Sequence, residues 1–165
     1  MDHLWSPWRY RYVQGARDSD DAACIFCRMA AEKKDDENFI VHRGARNFVV
    51  LNLFPYTTGH MMIVPYEHVA SLECATPESL QEMILLARAA ERHLAQVYRA
   101  PGFNLGMNLG EMAGAGIAGH LHMHVLPRWA GDTNFMTAVA ETRVMPEELA
   151  STYRKLREAF SANHD

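Results

Sequence analysis

Cysteine is scarce in this chain. There are three in 165 residues, an odd number that makes a poor disulfide framework and fits a reducing compartment. Long apolar runs are missing too: no stretch approaches the roughly 20 residues that span a bilayer as a helix. Residues 1–12 are aromatic and charged, without the apolar segment and small-residue cleavage site of a signal peptide. Nor is there an excess of positive charge, since 16 Lys and Arg stand against 20 Asp and Glu for a formal net charge of −4. General electrostatic binding to nucleic acid is driven by counterion release and needs a positive surface, so that class is not expected. No repeat, low-complexity segment or Pro/Ser-rich linker divides the chain. The expectation is a cytoplasmic protein with no membrane or nucleic-acid partner. It reads as one domain over residues 1–165, with residues 1–20 as an irregular arm.

The hydrophobic pattern predicts an α+β fold with a mostly antiparallel sheet, one long helix and a C-terminal helix. Residues 47–53 and 60–65 read as two antiparallel strands around turn chemistry at 55–59. A short helix is expected over 27–33, and the charge run 32–37 as a solvated connection. Thr76 is a plausible N-cap, with Pro77 at the first helical position. Leu80, Met83, Ile84, Ala87, Leu94, Val97 and Tyr98 form the apolar stripe of the long helix, which Pro101-Gly102 ends. Residues 103–108 read as a strand, 109–119 as a glycine-rich loop and 120–126 as another strand. The final helix carries Leu149, Tyr153, Leu156 and Phe160 on its buried face.

What the sequence does have is histidine and clustered glycine. Three of its nine histidines alternate with apolar residues in His120-Leu-His-Met-His-Val-Leu-Pro127. In a strand, a period of two puts His120, His122 and His124 on one face and Leu121, Met123 and Val125 on the other. Aligned imidazoles suit either a metal site or nucleophilic catalysis, in which one ring attacks while its neighbours orient it and bind oxygens. The preceding segment, Asn108-Leu-Gly-Glu-Met-Ala-Gly-Ala-Gly-Ile-Ala-Gly119, has enough small residues for backbone N–H groups to close around an anion. It lacks the Gly-Lys-Ser/Thr of a Walker loop. Loop and histidines together suggest phosphorus chemistry with a covalent histidine intermediate. Cys24-Ile-Phe-Cys27 is open to three readings from its residues: a redox pair, half a zinc site, or two buried thiols. Cys74 reads as packing, and Arg9, Lys155 and Arg157 as solvated. His3, His93 and His164 carry no pattern.

The run from His120 to Leu126 matches the pattern of the histidine triad family, and the likeness extends along nearly the whole chain. It includes Asn52 in Val-Leu-Asn, Thr58-Gly-His60, Val64-Pro-Tyr-Glu-His68, Asn108-Leu-Gly110, Pro127-Arg-Trp129, Gly131-Asp-Thr-Asn-Phe135 and the opening Leu4-Trp-Ser-Pro-Trp-Arg9. The chain most resembles the bacterial and archaeal branch that is similar to diadenosine tetraphosphate phosphorylases.

That resemblance implies a nucleotidyl transferase or hydrolase. His122 would attack the α-phosphorus of a dinucleoside polyphosphate to form a nucleotidyl–histidine, and His124 would contact phosphate oxygens. Inorganic phosphate is the implied acceptor, with water as the alternative. A non-catalytic nucleotide-binding module is the rival from another class. Asn52 matches the ribose-binding position and Asn108 a polar position near the phosphate, with Gly114, Ala115 and Gly116 in the anion loop. Gly116 stands where better-known branches carry Gln or Ser. Phe48, Leu51, Leu53 and Met62 are candidates for a base pocket, or ordinary strand core.

The resemblance also implies a structural zinc on Cys24, Cys27, His68 and His120, and a buried hydrogen-bonding role for His60. Trp129 could stack on a second base or pack against a subunit. Family likeness further implies a homodimer or a higher even oligomer. Met83, Leu86, Tyr98 and residues 103–107 are the candidate interface, unless they meet the C-terminal helix of the same chain.

Overall fold

Residues 47–51 (Asn-Phe-Val-Val-Leu) and 61–65 (Met-Met-Ile-Val-Pro) are apolar almost throughout, which suits strands covered on both faces. They form β2 (Asn47–Leu51) and β3 (Met61–Pro65), buried at every position. The structure, a computed structural model, describes residues 24–132 and 145–162. The expected arm over 1–20, His3, Arg9, residues 133–135 and His164 lie outside them. β1 (Ile40–Arg43) pairs with β2, and β5 (Met123–Arg128) with β3. β4 (Gly102–Gly106) pairs with β5 at the sheet's end, giving the order β1-β2-β3-β5-β4 with every pair antiparallel. The α+β expectation with an antiparallel sheet therefore holds.

Four α-helices accompany the sheet among the described residues: α1 (Ile25–Glu32), α2 (Asp35–Asn38), α3 (Pro77–Tyr98) and α4 (Leu149–Ala162). α3 runs for 22 residues and begins as expected, with the Thr76 hydroxyl accepting the Ser79 N–H and Pro77 in the first turn. None of these helices is long and apolar enough to cross a membrane.

The period of two sorts the strands into two apolar layers. Odd-numbered Val41, Val49, Leu51, Met61, Ile63, Leu121, Met123 and Val125 pack with α3 and α4, against Met83, Ala87, Ala90, Leu94, Leu156 and Phe160. Even-numbered Ile40, Phe48, Val50, Met62 and Val64 form a second layer with Cys24, Phe26 and Met29 around α1. His124 pairs with Met62, and Met62 with Val50. The third triad histidine thus lies in a row with the α1-side layer, opposite the long helices.

Several expectations are corrected. Ile84 is 58% exposed, because the buried face of α3 steps through 80, 83, 87, 90 and 94, and residue 84 falls on its flank. Leu86, by contrast, is buried in the chain's own core beside Met83, so these two residues are not free for a partner. β5 begins at Met123 rather than His120 because the Leu121 N–H turns aside to the Val69 carbonyl at 2.6 Å. The charge run is not merely solvated: Asp35 pairs with Arg43 at 2.9 Å and Asp36 accepts from the Tyr153 hydroxyl at 2.7 Å. Arg157 is likewise engaged, donating to the Val41 carbonyl at 2.9 Å, whereas Lys155 pairs with Glu147 and stays exposed, as expected. Cys74 is exposed, not packing, and accepts from the Ser71 hydroxyl at 3.3 Å.

Candidate active site and metal cluster

Alternation carries the middle and last triad histidines to the α1 side of the sheet, where a cavity of about 500 Å³ opens. His122 and His124 form one wall, and Asn52, Asn108, Gly114 and Gly116 also line it. Of the candidate base-pocket residues, Leu51, Leu53 and Met62 reach the cavity. Phe48 does not; it is fully buried and stacks on Tyr66, ring centroids 5.5 Å apart. Ala115 is buried behind the loop, its N–H bonded to the Gly110 carbonyl at 3.3 Å. Asn108 braces that loop from below, its Nδ2 donating to the Gly114 carbonyl at 3.3 Å.

Hydrogen bonds fix how the imidazoles carry their protons. His122 Nδ1 lies 2.8 Å from the His120 carbonyl. A carbonyl only accepts, so Nδ1 carries the proton and the lone pair is on Nε2. The Tyr56 N–H donates to His60 Nδ1 at 3.1 Å, which leaves the proton on His60 Nε2, 2.9 Å from His124 Nδ1. His124 must accept there, so its own proton sits on Nε2. The two rings thus offer the cavity opposite functions, a lone pair on His122 and an N–H on His124.

Burial lowers the pKa of His122, the bond to His120 opposing it only in part. Burial, with the neighbouring His122 second, pushes His124 down to about 4. Asn52 follows β2 directly; its carboxamide oxygen accepts the Phe54 N–H at 2.9 Å, and its Nδ2 touches the His60 ring edge at 3.4 Å.

The first triad histidine turns to a different site. Cys24, Cys27, His68 and His120 bring one ligand atom each to within 4.8 Å of one another. His120 Nε2 donates to the Pro65 carbonyl at 2.9 Å, leaving the lone pair on Nδ1, which is 3.3 Å from Cys24 Sγ and 3.5 Å from Cys27 Sγ. His68 Nδ1 is 3.2 Å from Cys27 Sγ. Tetrahedral zinc with ordinary bond lengths separates sulfur and nitrogen ligands by about 3.5 Å. Donor set, spacing and the His120 tautomer all fit that ion.

Sequence reasoning missed one wall of the cavity. Ile25, Phe26 and Met29 of α1 line it, and the available signal was the pair of apolar residues enclosed by the two cysteines. Trp129 is not among the lining residues; its backbone N–H donates to the Asp132 carboxylate at 3.1 Å.

A model of the HIT domain matches residues 33–131. The AP-4-A phosphorylase of Mycobacterium tuberculosis is 40% identical over 162 residues, covering 94% of this chain and 83% of that one. The asymmetrical bis(5'-nucleosyl)-tetraphosphatase of Schizosaccharomyces pombe is 26% identical over 125 residues, 75% of this chain and 68% of that enzyme. Among solved structures, a zinc-bound histidine triad protein from Mycobacterium smegmatis superposes with a TM-score of 0.71 at 25% identity, over 87% of this chain and 96% of that one. With the family model covering more than half the chain, the protein belongs to the histidine triad (HIT) family.

Proposed function

We propose that this protein is a nucleotidyl transferase acting on dinucleoside polyphosphates, with inorganic phosphate as acceptor. The observation that carries the reading is the His122 tautomer. Its Nδ1–H is held by the His120 carbonyl at 2.8 Å, and its lowered pKa keeps Nε2 unprotonated at neutral pH. Nε2 attacks the α-phosphorus, a P–N bond forms, and the bond to the bridging oxygen breaks to release the remaining polyphosphate chain. Phosphate then attacks the nucleotidyl–histidine, returns the electron pair to Nε2 and leaves as a nucleoside diphosphate. His124 Nε2–H donates to oxygens of the phosphate chain, where negative charge collects. Asn52 binds ribose hydroxyls; Gly114, Gly116 and Asn108 shape the anion loop; Leu53 and Met62 contact the base.

Zinc would be held by Cys24, Cys27, His68 and His120. With four protein ligands the ion's contribution would be structural, fixing the start of the triad segment against α1 and the end of β3. The working unit is a homodimer in the cytoplasm, paired through the sheet edge at β4, where Asn104, Leu105 and Gly106 are exposed.

Support for phosphorolysis over hydrolysis comes from the 40% identity to the mycobacterial phosphorylase against 26% to the fission-yeast tetraphosphatase. Incubation with diadenosine tetraphosphate, with and without phosphate, tests it. ADP plus ATP formed only with phosphate is the expected result. AMP plus ATP, or ADP alone, identifies a hydrolase and overturns the acceptor; no turnover and no acid-labile adduct on His122 overturns the enzyme.

A further inference from the structure

The two cysteines of the cluster enclose the wall of the cavity. Between Cys24 and Cys27 stand Ile25 and Phe26, both lining the cavity. Phe26 is 2% exposed and touches both sites. Its ring lies edge-on to His120 at 5.4 Å and tilted against His122 at 5.3 Å between centroids. The helix that carries it has only eight residues and no side-chain N-cap bond, too short to hold its shape without tertiary anchors. Its C-terminal end is tied by Arg43, which donates to the Ala30 carbonyl at 3.0 Å and the Met29 carbonyl at 3.3 Å. Its N-terminal end is tied by the cysteine–histidine cluster.

We infer that metal binding at this cluster and nucleotide binding in the cavity are thermodynamically coupled through Phe26 and α1. The inference rests on the zinc and nucleotide readings above. A metal on Cys24 and Cys27 fixes the first turn of α1 and so the depth at which Ile25 and Phe26 meet a base. A base against those side chains holds the same turn in the position that gathers the two thiolates beside His120. Each ligand selects the helix placement the other needs, so each raises the other's affinity by one common factor.

The experiment measures AMP binding by calorimetry on the zinc-loaded chain and on the chain depleted by a chelator, with circular dichroism checking that the depleted chain stays folded. In parallel, zinc affinity is measured by competition with a chromophoric chelator, with and without saturating AMP. The expected result is an AMP Kd about tenfold weaker after depletion, and zinc affinity about tenfold tighter with AMP. Phe26→Leu keeps all four ligands and should retain zinc while the factor falls toward one.

Equal AMP affinity with and without zinc, or zinc competition that AMP does not move, overturns the coupling while leaving both sites standing. If the depleted chain unfolds, an undiminished AMP effect on zinc affinity in Phe26→Leu overturns the route through this helix. A zinc-loaded chain that binds no AMP overturns the nucleotide reading and this inference with it. A chain that takes up no zinc does the same for the metal.

Discussion

His60 Nε2 lies 2.9 Å from His124 Nδ1, and this contact decides which face of the last triad histidine donates. Because the Tyr56 N–H occupies the other nitrogen of His60, the proton between the two rings belongs to His60. Replacing His60 by Phe removes that proton but keeps the ring, freeing His124 to adopt the other tautomer. The expected effect is a 10- to 100-fold fall in kcat, about what a misaligned catalytic group costs, with a smaller change in KM. A parent-like kcat shows that His124 orients itself without this partner.

Replacing His122 by Asn removes a bond made only during reaction. Turnover with diadenosine tetraphosphate should drop by about a thousandfold or more while AMP affinity stays within about tenfold. Steady-state kinetics and calorimetry on the same preparation separate the two. Turnover near the parent's level would move the nucleophile elsewhere.

The cluster predicts about one zinc per chain by elemental analysis, since four ligands close one tetrahedral site. Cys24→Ser should lose most of that metal and melt at a lower temperature, because a structural ion stabilises only the folded chain. Full zinc content in this variant would remove Cys24 from the ligand set.

His124 gives the pH dependence a definite sign. Its folded-state pKa is about 4 against an ordinary 6.5, so below pH 6.5 the unfolded chain takes up a proton that the folded chain refuses. The unfolded state then binds more protons, and stability falls as pH drops from 6.5 toward 4. Denaturant melts of the parent and of His124→Gln across this range should show a shallower slope in the variant. Parallel slopes would show that His124 titrates near its ordinary value.

Among the described residues β4 ends the sheet with Leu105 exposed, and an edge strand offers backbone groups to a second copy. Sedimentation should give a mass of about twice 18.7 kDa, and Leu105→Glu should shift it toward the monomer, two like charges then meeting across the two-fold axis. A parent chain that sediments as a monomer and is fully active removes the pairing.

Local chemistry made much of this legible in advance. Thr76-Pro77 announced α3, the alternation around Met123 announced β5, and the spacing of His120, His122 and His124 was visible without any fold. The family resemblance already implies separate sites for His120 and His122; their tautomers were not legible, because only the Pro65 and His120 carbonyls reveal them. β1 was hidden because Ile40-Val-His-Arg is four residues long with a register shift between Ile40 and His42, too short to display a period. Ile84 was misplaced because apolar character alone does not separate the centre of a helix face from its flank. Phe26 went unnoticed because an apolar residue inside a ligand motif looks like spacing.

The parity of the strands has a consequence for how this protein can change. Neighbouring residues on β2, β3 and β5 answer to different demands: Met61 and Met123 to α3 and α4, Met62 and His124 to the cavity. A mutational library confined to Val50 and Met62, even-numbered strand positions that line the cavity, would therefore sample new ligand preferences while the layer under the long helices stays intact. One confined to odd-numbered positions such as Val49, Met61, Ile63, Met123 and Val125, leaving out Leu51 because it also lines the cavity, would sample folding robustness with the binding surface untouched. Adaptability and durability are interleaved residue by residue along the same strands, so each can be varied without surrendering the other.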